Sequence, residues 1–164
     1  MNKKIEQAFN DHLNAEFFSS YLYLAMANCF TAKNLDGMAS WMRVQAEEER
    51  AHGMKFLDFI HARNGRVTLK QIGQPPLEWA TPLEAFQQAY EHECEISRKI
   101  DALVDLATKE GDHAAINFLQ WFVSEQVEEE ASALGIVDKL TMIGDHPMGI
   151  LTMDGRLGQR AGSK

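Results

Sequence analysis

Cysteine is almost missing from this chain of 164 residues: Cys29 and Cys94 are the only two, and they stand far apart. Without a Cys-x-x-Cys pair there is no zinc knuckle, rubredoxin-type centre or redox dithiol, so both are expected to be buried free thiols. Long apolar runs are also missing. None approaches the length that spans a bilayer, and Met1-Asn2-Lys3-Lys4 leads straight into an amphipathic pattern with no signal-peptide stretch, so no membrane partner and a cytoplasmic location are expected. An excess of basic residues is lacking too. The formal net charge is −8, which argues against nucleic acid as a partner and for cations as clients. No short-period repeat or low-complexity segment appears, and the 45% hydrophobic fraction is that of a globular chain with an ample core.

What the chain does have is four apolar seams at heptad spacing, each broken near its middle by polar groups. They read Phe9, Leu13, Glu16, Ser20, Tyr23, Ala27, Phe30; Met38, Met42, Gln45, Glu49, His52, Phe56, Phe59; Leu83, Phe86, Tyr90, Glu93, Ser97, Ile100, Val104; and Leu119, Phe122, Gln126, Glu129, Ala133, Ile136, Leu140. Steps of three and four keep each series on one helical face, so the interrupting acids point into a core. A buried carboxylate without a partner costs several kcal/mol. Four such interruptions imply a shared cation.

The fold class expected is all-α, one domain over residues 1–164. Helices are predicted over about 4–33, 36–64, 82–110 and 112–143, with a short fifth over about 146–156 in the Gly-containing tail, the least regular part of the chain. Asn34-Leu35-Asp36-Gly37 and Asn64-Gly65 are breaks. Thr81-Pro82-Leu83-Glu84 reads as a capping box with Pro in the first turn, and Asp112 as an N-cap. Pro147, Gly149, Gly155 and Gly158 weaken the last helix. Helices of roughly 28 residues are about 42 Å long. The linker over 65–80 can stretch about 50 Å, enough to return along a whole helix. Two antiparallel hairpins joined by one long crossover, from the second helix to the third, give the four-helix-bundle topology that ferritin-like folds use.

Glu16, Glu49, Glu93 and Gln126 each fall about 11 to 14 residues into their own helices, so all reach mid-bundle height. Glu49-x-x-His52 places a carboxylate and an imidazole on one face, and Gln126-x-x-Glu129 repeats the spacing with an amide. Oxygen donors with a single imidazole suit iron or manganese better than a thiolate-seeking metal, and zinc also fits. Glu16, Glu49, Glu93 and Glu129 supply four negative charges, while His52 and Gln126 are neutral. Two Fe²⁺ ions balance that set, and two Fe³⁺ ions bridged by an oxo dianion leave the same balance.

Phe118-Leu119-Gln120-Trp121-Phe122-Val123-Ser124-Glu125-Gln126-Val127-Glu128-Glu129-Glu130, with Glu49-x-x-His52, makes the chain resemble the bacterial non-haem ferritins across all four long helices. The resemblance implies iron storage with ferroxidase activity, Fe²⁺ being oxidised by O₂ or H₂O₂ at a di-iron centre inside one subunit. It implies that Glu16, Glu49 and His52 hold the first iron and Glu49, Glu93 and Gln126 the second. Glu48, Glu125, Glu128 and Glu129 would form a third site, with Tyr23 and Trp121 beside the centre as hydrogen-bond or electron donors. The same resemblance implies a hollow homo-oligomeric shell of 24 subunits around a ferric oxyhydroxide core. Bacterioferritins have a second Glu-x-x-His on the fourth helix and a haem-ligating Met directly after the second helix's Glu. Gln126-x-x-Glu129 and Arg50 stand there instead, so no haem is expected. Ile116 and Leu119 fall where animal ferritins place channel carboxylates.

Simpler roles are expected elsewhere. Glu47 and Glu130 read as solvated helix positions, His12, His61, His92, His113 and His146 as structural or exposed, and the eight Met residues as core filler. A rubrerythrin-like peroxidase lacks its CxxC pair here, a DNA-protecting mini-ferritin would build its site between subunits, and a metal-free bundle leaves the inward acids unexplained.

Overall fold

The structure, a computed structural model, describes residues 1–160, so residues 161–164 of the expected domain lie outside it. It contains five helices, α1 (Lys3–Ala32), α2 (Asp36–Ala62), α3 (Pro82–Lys109), α4 (His113–Ile143) and α5 (Pro147–Leu157), and no strand among the described residues. No helix among them is long and apolar enough to cross a membrane.

The helix ends follow from local chemistry. Asn2 Oδ1 accepts from the Lys4 N–H at 2.8 Å and Thr81 Oγ1 from the Glu84 N–H at 3.1 Å. Glu84 reaches back, but to the Ala80 N–H at 2.7 Å rather than to that of Thr81, so the box closes one residue early. Asp112 accepts from the Ala115 N–H at 3.1 Å and holds the Arg63 guanidinium through two 3.0 Å bonds, tying the end of α2 to the start of α4. Asn34 and Asn64 take positive φ values of 57° and 53° where α1 and α2 stop, a conformation Asn tolerates better than most residues.

α1 packs antiparallel on α2, and α3 on α4. The intervening segment climbs the outside of α1, held by two asparagines one turn apart. Asn10 donates to the Arg66 carbonyl at 2.9 Å and accepts from the Thr68 N–H at 2.6 Å. Asn14 donates to the Thr68 carbonyl at 2.8 Å and accepts from the Lys70 N–H at 2.7 Å. These bonds satisfy backbone groups that no helix or sheet would.

The core is divided in two. One apolar cluster gathers the later half of α1, the earlier halves of α2 and α3 and the later half of α4 around Tyr23, Phe30, Met38, Met42, Phe86 and Leu140. The other fills the opposite end with Phe9, Leu13, Phe56, Ile100, Leu119 and Phe122. That arrangement runs α1 with α4 and α2 with α3. Leu119 is wholly buried in this second cluster.

Candidate metal centre

Between the two apolar clusters lies a polar layer built from all four long helices. Glu16, Gln45, Glu49, His52, Glu93, Gln126 and Glu129 are each at most 6% exposed. Heptad geometry explains the convergence: each residue occupies a seam position whose neighbours one turn away are core side chains. Ligand atoms of Glu16, Glu49 and His52 lie within 4.8 Å of one another, and so do those of His52, Glu125 and Glu129. His52 belongs to both groups.

Hydrogen bonds hold the layer in place. His12, one turn before Glu16, bonds its Oε1 through Nε2 at 2.8 Å. Gln45 Nε2 donates to Glu49 Oε1 at 3.0 Å and to Glu129 Oε2 at 2.7 Å. Gln126 Nε2 donates to Glu93 Oε2 at 3.1 Å, and the Tyr23 hydroxyl donates to Glu93 Oε1. Among the described residues, two buried side-chain atoms have no protein partner, Glu16 Oε2 and His12 Nδ1. An orphaned carboxylate oxygen at the convergence of other carboxylates is what a cation would satisfy, and the donor set of oxygens and one imidazole fits iron.

The electrostatics show the cost of gathering acids in a buried layer. Burial pushes the Glu93 carboxyl up to about 8, and the Glu129 charge adds to it. Glu129 rises to about 7, again mainly through burial. Glu49 is driven well above the ordinary carboxylate range by burial and then by the charges of Glu93, Glu16 and Glu129. Burial acts on Glu16 in the same sense, yet the imidazoles of His12 and His52 hold it below the ordinary value. Burial lowers His52, leaving a neutral imidazole with a lone pair to offer. The Tyr23 phenol is raised by burial and by Glu93, so it keeps its proton.

The residues singled out from the sequence are not equally placed. Glu16, Glu49, His52, Glu93, Gln126 and Glu129 share the buried layer. Glu125 is half-buried, with Oε1 4.0 Å from His52 Nε2. Glu48 lines the groove on α2 and α4 together with His52 and Glu125, and pairs with Arg160. Glu128 is exposed and joins neither group of ligand atoms. Tyr23 is buried against Glu93, whereas Trp121 is 40% exposed at the groove's edge. Its ring meets His52 edge to face at 5.3 Å and carries the Lys55 ammonium 3.0 Å above it. Three further contributors carry weaker sequence signals: His12, expected to be structural or exposed, stands four residues before Glu16, on the same helical face; Gln45 is a seam residue one turn before Glu49; and Arg160, far away in sequence, has no local sign.

A Ferritin-like domain family model matches residues 6–143. The chain is similar to the bacterial non-heme ferritin of Bacteroides fragilis, 44% identical over 160 residues that cover 98% of this chain and 99% of that one. It is 35% identical over 154 residues to the bacterial non-heme ferritin of Campylobacter jejuni, covering 94% and 92%. Among solved structures, the open-pore ferritin of the hyperthermophilic archaeon Archaeoglobus fulgidus superposes with a TM-score of 0.97 at 48% identity, covering 98% of this chain and 99% of that one.

Proposed function

This chain belongs to the ferritin family, and from that premise we propose that it is an iron-storage protein with ferroxidase activity. Fe²⁺ is its substrate and cargo. Glu16, Glu49 and His52 take the first ion and Glu49, Glu93 and Gln126 the second, with Glu49 shared between them and Glu129 close by. The observation that carries this reading is the buried trio Glu16, Glu49 and His52, its ligand atoms within 4.8 Å of one another and one carboxylate oxygen without a protein partner.

The chain's own groups explain the chemistry. Glu49 and Glu93 hold protons while no cation is present, and binding of Fe²⁺ displaces them, so four carboxylates come to balance two divalent ions. Two Fe²⁺ then give up one electron each. O₂ accepts both electrons with two protons and leaves as H₂O₂, or H₂O₂ accepts them with two protons and leaves as two waters. Tyr23 orients Glu93 through its hydroxyl, and Trp121 packs edge to face on His52 and holds its ring in place. Gln126 binds through a neutral amide, a weaker ligand than carboxylate, which favours departure of Fe³⁺. His52 and Glu125, which line a groove of about 680 Å³ with Glu48, and Glu129, whose ligand atom lies within 4.8 Å of theirs, offer a third ion a place on the way out. Ferric product collects as oxyhydroxide inside a shell of identical subunits, the 24 of the family resemblance.

The test is aerobic addition of Fe²⁺ to metal-stripped protein, followed by ferric absorbance and by microscopy of the particles. Oxidation well above the buffer rate and a dense core inside a hollow particle are expected, with Glu49→Ala falling to the buffer rate. An unchanged rate in Glu49→Ala would overturn the assignment.

A further inference from the structure

The end of the described chain returns to the polar layer. Asp154 of α5 caps α2 from a distance: its Oδ1 accepts from the Met38 N–H at 2.8 Å, while Leu35 at the N-cap supplies no side-chain bond. Gly37 permits this approach, because a Cβ there would meet the Asp154 carbonyl oxygen at 1.8 Å. From that pin the chain passes Gly158 and lays Arg160 over Trp41, Gln45 and Glu48, positions that steps of four and three put on one face of α2. The guanidinium carbon lies 4.4 Å over the Trp41 ring. One nitrogen donates to Gln45 Oε1 at 2.8 Å and the other to Glu48 Oε2 at 2.5 Å.

A guanidinium can only donate, so it decides which way the Gln45 amide faces. With Oε1 turned to Arg160, the Gln45 NH₂ is left for Glu49 and Glu129, and it donates to both. Arg160 thus acts on two acids of the layer through Gln45 and on Glu48 directly. Its side chain is 23% exposed and that of Glu48 13%, so the pair sits where solvent screens little.

We propose that Arg160 is a resident counter-ion of this acidic groove and a positioning residue for Gln45. A divalent transition-metal ion arriving at His52, Glu125 and Glu129 competes with the guanidinium for Glu48, and its binding releases the end of the chain from α2. This rests on the third-ion part of the proposed function.

The experiment uses the assembled, full-length protein stripped of metal and titrated with Zn²⁺, whose fixed oxidation state separates binding from turnover. Calorimetry reads each equivalent, and hydrogen exchange reads the amides of Gly158, Gln159 and Arg160, which bond to Asp154, Arg156 and Leu157. In the wild type, two ions bind without altering that exchange and the third raises it several-fold. In Arg160→Gln the third ion binds about tenfold tighter, one charged competitor for Glu48 being gone, and the exchange is fast at every metal level. Arg160→Lys, which keeps the charge but not the fork, falls between the two. Equal third-ion affinity in wild type and Arg160→Gln, or terminal amides indifferent to that ion in the wild type, overturns the proposal. Failure of the wild type to take up even the first two ions is a separate result that removes the functional reading and this proposal with it.

Discussion

In the metal-free protein the Glu93→Gln substitution should change how stability depends on pH, and the structure sets both sign and size. The folded pKa of Glu93, about 8, lies above its ordinary value of 4.5. Between those values the native state keeps a proton that the unfolded chain has released, so Glu93 lowers stability progressively as pH rises and its effect saturates above about 8. His52 and His92, whose imidazoles burial depresses, act oppositely below about 6.5, while Glu129, raised to about 7, and Glu49 act in the same sense in both proteins, so the difference between wild type and variant over the window pH 6.5 to 8 reads Glu93. One retained proton is worth about 1.4 kcal/mol per pH unit. Glu93 therefore accounts for about 2 kcal/mol across the window, or roughly 5 °C in Tm for a domain of this size. Differential scanning calorimetry of chelated wild type and Glu93→Gln at four pH values measures it. The wild type should lose stability toward pH 8, the variant should lose about 2 kcal/mol less, and a saturating divalent cation should abolish the decline. A wild type as stable at pH 8 as at 6.5, or identical slopes in the two proteins, would refute the reasoning.

Tyr23→Phe removes the hydroxyl that bonds Glu93 inside the core. A loss of about 1 to 3 kcal/mol in the apo protein is expected, together with slower Fe²⁺ oxidation in stopped-flow absorbance, and an unchanged rate would confine Tyr23 to packing. Asp112→Ala deletes both the cap of α4 and the paired bond to Arg63, so urea unfolding should show a loss of about 1 to 2 kcal/mol near neutrality. Because Arg63 and the α4 backbone amides hold the Asp112 carboxyl below its usual range, its contribution is complete above pH 4 and disappears as pH falls through the depressed pKa. The variant and wild type should therefore converge in acid.

Much of this architecture is visible in the residues themselves, because heptad seams record burial directly. Glu16, Glu49, Glu93 and Gln126 stand at positions where neighbours one turn away are Leu13, Gln45, Ala89 and Phe122, all buried, so their inward direction needs no tertiary knowledge. Thr81-Pro82 and Asp112 likewise announce where α3 and α4 begin. Glu128 is placed at the third site by the family resemblance, not by its seam position. It lies two residues, about 200° of helical turn, from Gln126 and so faces away from the layer. What stayed hidden depends on partners far apart in the chain. Asn10 and Asn14 hold an irregular crossover, and Arg160 reaches Gln45 and Glu48 only because Asp154 and Gly37 bring α5 against α2.

The most direct measurement is anomalous diffraction at the iron edge from crystals soaked anaerobically in ferrous salt. Two peaks should appear in the polar layer of each subunit, one among Glu16, Glu49 and His52 and the other among Glu49, Glu93 and Gln126, with Glu16 Oε2 in contact with metal. Iron confined to the outer surface, with the layer unchanged and that oxygen still without a partner, would contradict the claim that the buried acids are gathered to hold a pair of ions.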